Sequence, residues 1–451
     1  MELALPVIVL FLLGMTGIGV WHARKVRSAE DFALAGRRIG APVLAGTLTA
    51  TWIGTGSLFG NSEFTYQTGV AGFFLPISGI VGMLLLAYLA PRIRELPASS
   101  VPQILGLRFG RVAQVLSAVS VILAYLVIVS YQYRAGAAVA ERIFPGADQA
   151  MLRVGFAAFI ILYTALAGLI SVALTDVVNG IVLSTGLLFA LGLAWSGWNP
   201  QLQPFDPDML RLSGGLGTLG WINVMLPPFL LILGDANMYQ RFLAAESPRT
   251  ARRAAFGAFA ALLVLESAII GVALFGRVLL PNEPANPGHV IIEMAFTVFP
   301  PVVGLLLAAT AVAIIVSTAD SYLLACSTTA SMDLGSGMTT TFKQRVLVVA
   351  FGLFALFPAF LWEEFLSVAL YAYTLYGASL TPALLAALLR PKTSGRAVVG
   401  GMVAGLGTAL VWKVLLDGGL LSSGLSQLDP VLPALGANAL VLLALEFTRK
   451  D

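Results

Sequence analysis

Long apolar runs alternate with short polar stretches along the chain. The runs predict membrane-crossing helices near 3–22, 42–72, 73–91, 112–142, 150–168, 172–196, 218–241, 253–279, 298–333, 343–362, 364–389, 396–416 and 430–447. A bilayer crossing takes about 20 such residues, so the pattern describes an all-α polytopic membrane protein of about thirteen transmembrane helices. No soluble appended domain and no low-complexity tract interrupt it. Charge sorts the connecting stretches. Arg24, Lys25, Arg27, Arg37 and Arg38 follow the first run, Arg92, Arg94, Arg108 and Arg111 the third, and Arg241, Arg249, Arg252 and Arg253 the seventh. Lys343 and Arg345 follow the ninth, Arg390, Lys392 and Arg396 the eleventh, and Arg449 and Lys450 the last. Basic loops face the cytoplasm. An odd number of spans, an outside N-terminus, a cytoplasmic C-terminus and a place in the cell membrane are therefore expected. The first run has no basic residues ahead of it and no small-residue cleavage site, and reads as a retained span.

Composition narrows the classes. Hydrophobic residues make up 58% of the 451 and charged ones 11%, against roughly 25% charged in soluble domains. One cysteine, Cys326, permits no internal disulfide framework. Two histidines, His22 and His289, do not build a metal centre or triad. The loops carry no acid/base or metal cluster, so no enzyme is expected. A formal charge of +3 gives no reason to expect a nucleic-acid partner.

Two of the predicted spans are unusual. The second holds "WIGTGSLFGN", with Gly54, Gly56 and Gly60, and the seventh holds "LPPFLLILGDANMYQR", with Pro227, Pro228 and Gly234. Such residues loosen the helix ladder, and a carbonyl freed inside lipid needs a partner. The two lie five spans apart, the signature of an inverted five-plus-five repeat whose broken helices build a midplane site. The chain then divides as a single transporter domain over 1–451. Residues 1–40 form an extra helix and loop, 41–196 the first repeat, 218–390 the second and 391–451 two terminal helices.

Ionisable residues inside spans mark sites, because each costs roughly 2.5–3.5 kcal/mol at mid-bilayer. In "AIIVSTADSYLLA", Ile314, Ser317, Thr318, Asp320 and Ser321 share a face about 160° wide. Hydroxyl and carboxylate oxygens, with a carbonyl from a broken neighbour, suit a small hard cation. Asp176 reads either as a helix cap or as a second carboxylate for that cation. Asp235 reads as a holder of a cationic substrate or as the centre of a local turn. Glu63 and Glu266 read as structural partners or vestibule groups, and Arg134 as snorkelling or paired. Trp52 serves packing, or stacks a substrate by its face. Tyr371, Tyr373 and Tyr376 are candidates to line a cavity opposite it.

At these residues the chain resembles the sodium/solute symporter family of proline, pantothenate, sugar, sialic acid and choline carriers. The resemblance rests on "SAEDFALAGRRIG" (28–40), "TATWIGTGSLFG" (49–60), "AGLISVALTDVVNG" (167–180), "QRFLAAESPRTARRA" (240–254) and "IVSTADSYLLACSTTASMDL" (315–334). Asn179 stands where the family usually has Gln, and Asp320 where several members have Ser. The resemblance implies secondary transport driven by Na+. One sodium site would use carbonyls of Ala50, Ile53 and Ile314 with the hydroxyls of Ser317 and Thr318. A second, found in some members, would use Asp176, Ser317, Asp320 and Ser321. The first broken helix looks closest to the choline carriers, which would place Trp52 in the substrate site, and Ser57 takes the place where sugar carriers use a polar substrate contact. The other aromatic positions of that branch fall on Asp235 and near Val127, and the gating tyrosine of sugar carriers falls on Leu231. The expected partners are Na+, a lipid bilayer and a small polar organic solute, an amine or amino-acid-like solute ahead of a sugar or carboxylate. A monomer suffices for such a carrier, and H+ in place of Na+ stays open because carboxylates bind either.

Overall fold

Helix ends follow punctuation written in the chain. Ser100, Ser247 and Thr340 accept the backbone N–H groups of Gln103, Thr250 and Lys343 at 3.1, 3.1 and 3.2 Å, satisfying donors that a helix start leaves unpaired. Pro42, Pro102 and Pro248 stand in first turns, where a missing N–H costs nothing. The computed structural model describes residues 33–166, 169–335, 340–361, 365–390 and 392–448, with Pro6, Leu10, Leu13, Gly14 and Gly17. Of the expected first span only those five residues are described, and all are helical.

The helices are α1 (Ala41–Trp52), α2 (Ser62–Thr68), α3 (Ile77–Glu95), α4 (Val101–Phe109), α5 (Arg111–Ile143), α6 (Gln149–Leu166), α7 (Leu169–Gly197) and α8 (Thr218–Gly234). There follow α9 (Ala236–Ala244), α10 (Pro248–Leu279), α11 (Val290–Thr297), α12 (Pro301–Thr329), α13 (Thr341–Ala359), α14 (Phe365–Leu389), α15 (Gly395–Asp417) and α16 (Val431–Phe447). Among the described residues, ten helical stretches are long and apolar enough to cross a membrane. The broken α1–α2 segment and the shorter apolar α16 bring the spans to twelve, and the expected thirteenth is 3–22.

Packing shows the repeat directly. The helix α1 packs on α7 as α8 packs on α14, and α1 meets α10 as α8 meets α3. Likewise α7 lies on α12 as α14 lies on α5, and α5 meets α13 as α12 meets α6. Exchanging the two sets of five leaves these pairings unchanged, the property of an internally repeated bundle. Every residue of α12 from Leu307 to Thr329 is buried, so this helix runs through the centre. Leu162, Phe354, Phe357, Val414 and Phe447 lie exposed on the periphery. An exposed apolar belt of this kind suits lipid.

One end of the bundle is tied by backbone. The Ile39 N–H donates to the Ala244 carbonyl at 3.1 Å, and the Glu246 N–H donates to the Ile39 carbonyl at 3.1 Å. Arg94 Nε and Gln240 Nε2 add bonds to the carbonyls of Ala245 and Ala33 at 2.5 and 2.7 Å. The sequence reading counted Arg241 among loop charges. It belongs to α9 instead, and its side chain is fully buried, because three membrane helices supply it with oxygen partners.

Candidate ion and solute site

The first break follows Trp52. Ile53 turns out of helical conformation (ψ 83°), and the Gly54 N–H goes to the Trp52 carbonyl at 2.8 Å. The carbonyls of Ala50 and Ile53 consequently accept no backbone N–H among the described residues. The chain resumes as a π-helical turn, Gly56–Asn61, before α2. Gly54 is required by proximity, since a Cβ there would lie 2.9 Å from Thr318 Oγ1. That hydroxyl is buried without a hydrogen-bond partner, as is Asp320 Oδ2. Burying such groups unpaired costs roughly 1–3 kcal/mol each. The unpaired Thr318 hydroxyl thus lies against the first break, whose Ala50 and Ile53 carbonyls have no backbone donor, with the Asp320 carboxylate two residues further along α12. Their chemistry fits a small hard cation.

Next to them lies a charged cluster. Asp176, on α7, accepts from Thr47 Oγ1 at 2.5 Å, from Ser317 Oγ, and from the Arg241 guanidinium at 3.2 Å. Arg241 also donates to Thr47 Oγ1 and Ser321 Oγ, each at 2.8 Å, and Ser321 Oγ lies 3.3 Å from Asp320 Oδ1. Asp176, Ser317, Asp320 and Ser321 are thus joined through one arginine. Two carboxylates face one guanidinium, so one further positive charge would neutralise the group. Asp176 sits well inside α7 and caps no helix end.

The second break lies at Gly234–Asp235, where protein groups take up the Asp235 carboxylate and several carbonyls, while the Asn237 side chain just beyond it is buried without a partner. Asp235 caps α9 by accepting the Met238 N–H at 2.9 Å, and it accepts the Tyr125 hydroxyl at 3.0 Å. The carbonyls of Leu230, Leu233 and Gly234 accept from Thr381 (2.6 Å), Tyr239 (3.0 Å) and Tyr376 (2.9 Å). The Asp235 carboxylate is spent on its own helix and on Tyr125.

Trp52, Ser57 and Tyr373 line one cavity with Gly56, Leu231 and Tyr322. Its volume is about 40 Å³, room for little more than a water molecule, so a solute would have to widen it. A Cβ at Gly56 would strike the Tyr373 hydroxyl. Leu366 and Leu370 also line a second cavity of about 360 Å³, bordered by Glu63, Tyr371, Lys413 and Asp429. Burial raises the carboxyl of Asp429, in the loop before α16, and Lys413 partly opposes this. Glu266 is the buried acid of the inner cavity. It accepts from Ser57 Oγ at 2.6 Å and Asn61 Nδ2 at 2.9 Å.

Of the aromatic trio, Tyr373 thus joins Trp52, Tyr371 lies in the larger cavity, and Tyr376 serves the backbone of the second break. Arg134 is buried, its guanidinium 5.3 Å from the Phe365 ring centre. Sequence reasoning did not assign Arg241, Thr47 or Tyr322 to a site, and it gave Glu266 no ligand role. One signal for Glu266 was present, a lone acid inside "LLVLESAII".

The model of the sodium:solute symporter family matches residues 32–405. The sodium/proline symporter of Salmonella typhimurium is 25% identical, over 92% of this chain and 89% of its own length. The high-affinity proline transporter PutP of Bacillus subtilis is 25% identical, over 88% of this chain and 89% of its own. Among solved structures, a Na+-coupled sialic acid symporter in a substrate-bound outward-open state superposes with a TM-score of 0.82 at 16% identity. It covers 99% of this chain and 96% of that one. Mhp1, a nucleobase-cation-symport-1 family transporter in a closed conformation with bromovinylhydantoin bound, gives 0.64 at 14% identity, covering 92% and 94%. At these identities the structures establish the fold alone.

Proposed function

Because the chain belongs to the sodium:solute symporter family and uses Na+ as its coupling ion, we propose that it imports a small polar organic solute by alternating access, an amine or amino-acid-like solute ahead of the rest. The reading rests above all on one observation. The buried Thr318 hydroxyl has no partner and faces a helix break whose Ala50 and Ile53 carbonyls accept no backbone donor. Na+ would take these oxygens together with Ser317 Oγ and the Ile314 carbonyl, and Asp176, Asp320 and Ser321 would offer a second position beside Arg241. Ser317 donates its hydroxyl hydrogen to Asp176 and keeps its lone pairs for a bound ion, which would link the two positions. Trp52, Ser57 and Tyr373 would meet the solute, whereas Asp235 would support the second break.

The N-terminus would lie outside and the C-terminus in the cytoplasm, with the basic stretches before α1 and after α9 on the cytoplasmic side. The larger cavity by Leu366 and Leu370 would then be the outer vestibule, and the backbone ties at Ile39 the inner seal. Coupling needs only that ion and solute favour the same conformation. The names of the proline-transporting relatives support an amino-acid-like solute.

The test is thermal unfolding of the purified chain in NaCl against KCl. A ligand that binds only folded protein stabilises it by RT ln(1 + [L]/Kd). Stabilisation by Na+ beyond K+, lost in the double variant Ser317→Ala/Thr318→Ala, is expected. Equal behaviour of the two salts, with a shift at low pH instead, would transfer coupling to H+ and sink the sodium assignment.

A further inference from the structure

Glu266 is an acid whose charge, when ionised, no neighbouring cation among the described residues neutralises. Its side chain is buried in the middle of α10. It carries two hydrogen bonds, from Ser57 and Asn61. Among the described residues it makes no ion pair, and the inner cavity it lines contains no Lys, Arg or His. This contrasts with Asp176, whose carboxylate is paired with Arg241. A carboxylate buried at such depth is costly unless paired. Ser57 and Asn61 occupy one acceptor position on each oxygen, and an ionised carboxylate has about four. Acceptor positions on the carboxylate therefore remain free, and Glu266 lines the same cavity as Trp52.

We propose that Glu266 receives the positively charged nitrogen of the transported solute, so that the solute class is an organic cation or a zwitterion with an ammonium centre. The assignment deepens the symport reading and rests on it. The Trp52 face adds attraction for the same charge. Ser57 and Asn61 orient the carboxylate, and an anionic solute is repelled because the cavity offers it no basic partner. The acid beside Trp52 is therefore Glu266, supplied by α10, and not Asp235.

The experiment uses thermal shift on the purified full chain with L-proline, glycine betaine and choline as ammonium-bearing probes. Lactate, glucose and 3,3-dimethyl-1-butanol, the uncharged carbon analogue of choline, are the contrasts. At least one ammonium probe should stabilise the protein in NaCl while the contrasts do not. Its apparent affinity should fall at least tenfold in Glu266→Gln and be partly kept in Glu266→Asp, which retains the charge should the first variant fold poorly. Unchanged affinity in Glu266→Gln, or equal binding of the uncharged analogue or lactate, overturns the assignment. So does failure of all three ammonium probes at 10 mM, a concentration on the order of a weak site's Kd, while Na+ still stabilises. Absence of any difference between Na+ and K+ overturns symport instead. Binding of an ammonium probe that depends on Glu266 would uphold the assignment even then.

Discussion

The two broken helices both carry residues that loosen the helix ladder, yet the groups around them are satisfied differently. At Ile53–Gly54 the Ala50 and Ile53 carbonyls find no backbone donor among the described residues, and the unpaired Thr318 hydroxyl stands against Gly54. At Gly234–Asp235 the Asp235 side chain caps the following helix, and Thr381, Tyr239 and Tyr376 occupy the freed carbonyls. Proline and glycine alone therefore do not make a binding site. A break offers oxygens to a ligand only where the surrounding helices leave them unsatisfied.

Substitutions sharpen this contrast. The largest effect should come from Asp176→Ala, which strands the fully buried Arg241 guanidinium beside the first break. Removing one member of such a pair costs about 3–5 kcal/mol. Chemical unfolding should show this loss, with a smaller one in Asp176→Asn, whose amide oxygen still accepts from Thr47. Next comes the double variant Ser317→Ala/Thr318→Ala. Loss of two ligands to a charge, worth about 1.5–3 kcal/mol each, should raise half-saturating Na+ by roughly a hundredfold or more. Near-unchanged Na+ affinity would erase the distinction between the breaks.

Asp235→Ala should behave differently, lowering stability by about 1–2 kcal/mol through the lost cap while leaving the Na+ response in place. A collapse of Na+ binding in that variant would show that the second break is also a ligand site. The smallest effect concerns the brace on the first break. The His289 ring, in the loop before α11, stands 6.0 Å from Phe59 of the π-helical turn. Burial, aided by the charges of Arg142 and Arg134, pushes its imidazole down to about 4, against about 6.5 when unfolded. Between those values the unfolded chain holds a proton that the folded one refuses. The contribution is intact above pH 6.5 and is lost as pH falls through 4. Thermal scans from pH 7 to pH 4.5 should show this decline, and His289→Gln should flatten it.

Much of the site chemistry was legible before any folding. Ser317, Thr318 and Asp320 declare themselves by being polar on one face of an apolar helix, and Gly54 by interrupting another. Arg241 looked like a loop charge because its partners, Thr47 and Asp176, lie 194 and 65 residues away. Glu266 looked like a minor structural acid because Ser57 is 209 residues distant. Asp235 was ambiguous for the opposite reason. Its cap is local, but the Tyr125 hydroxyl that completes its environment comes from another helix.

Hydropathy, helix period and backbone breaks depend on neighbours along the chain, and these alone determined the spans, the two interruptions and the oxygen-rich face. Whether a freed carbonyl or a buried charge finds a partner depends on helices brought together from hundreds of residues apart. Only the tertiary structure could decide that the Thr318 hydroxyl at the first break stays unpaired, that the Asp235 carboxylate at the second is taken up by protein, and that Glu266 rather than Asp235 lines the cavity beside Trp52.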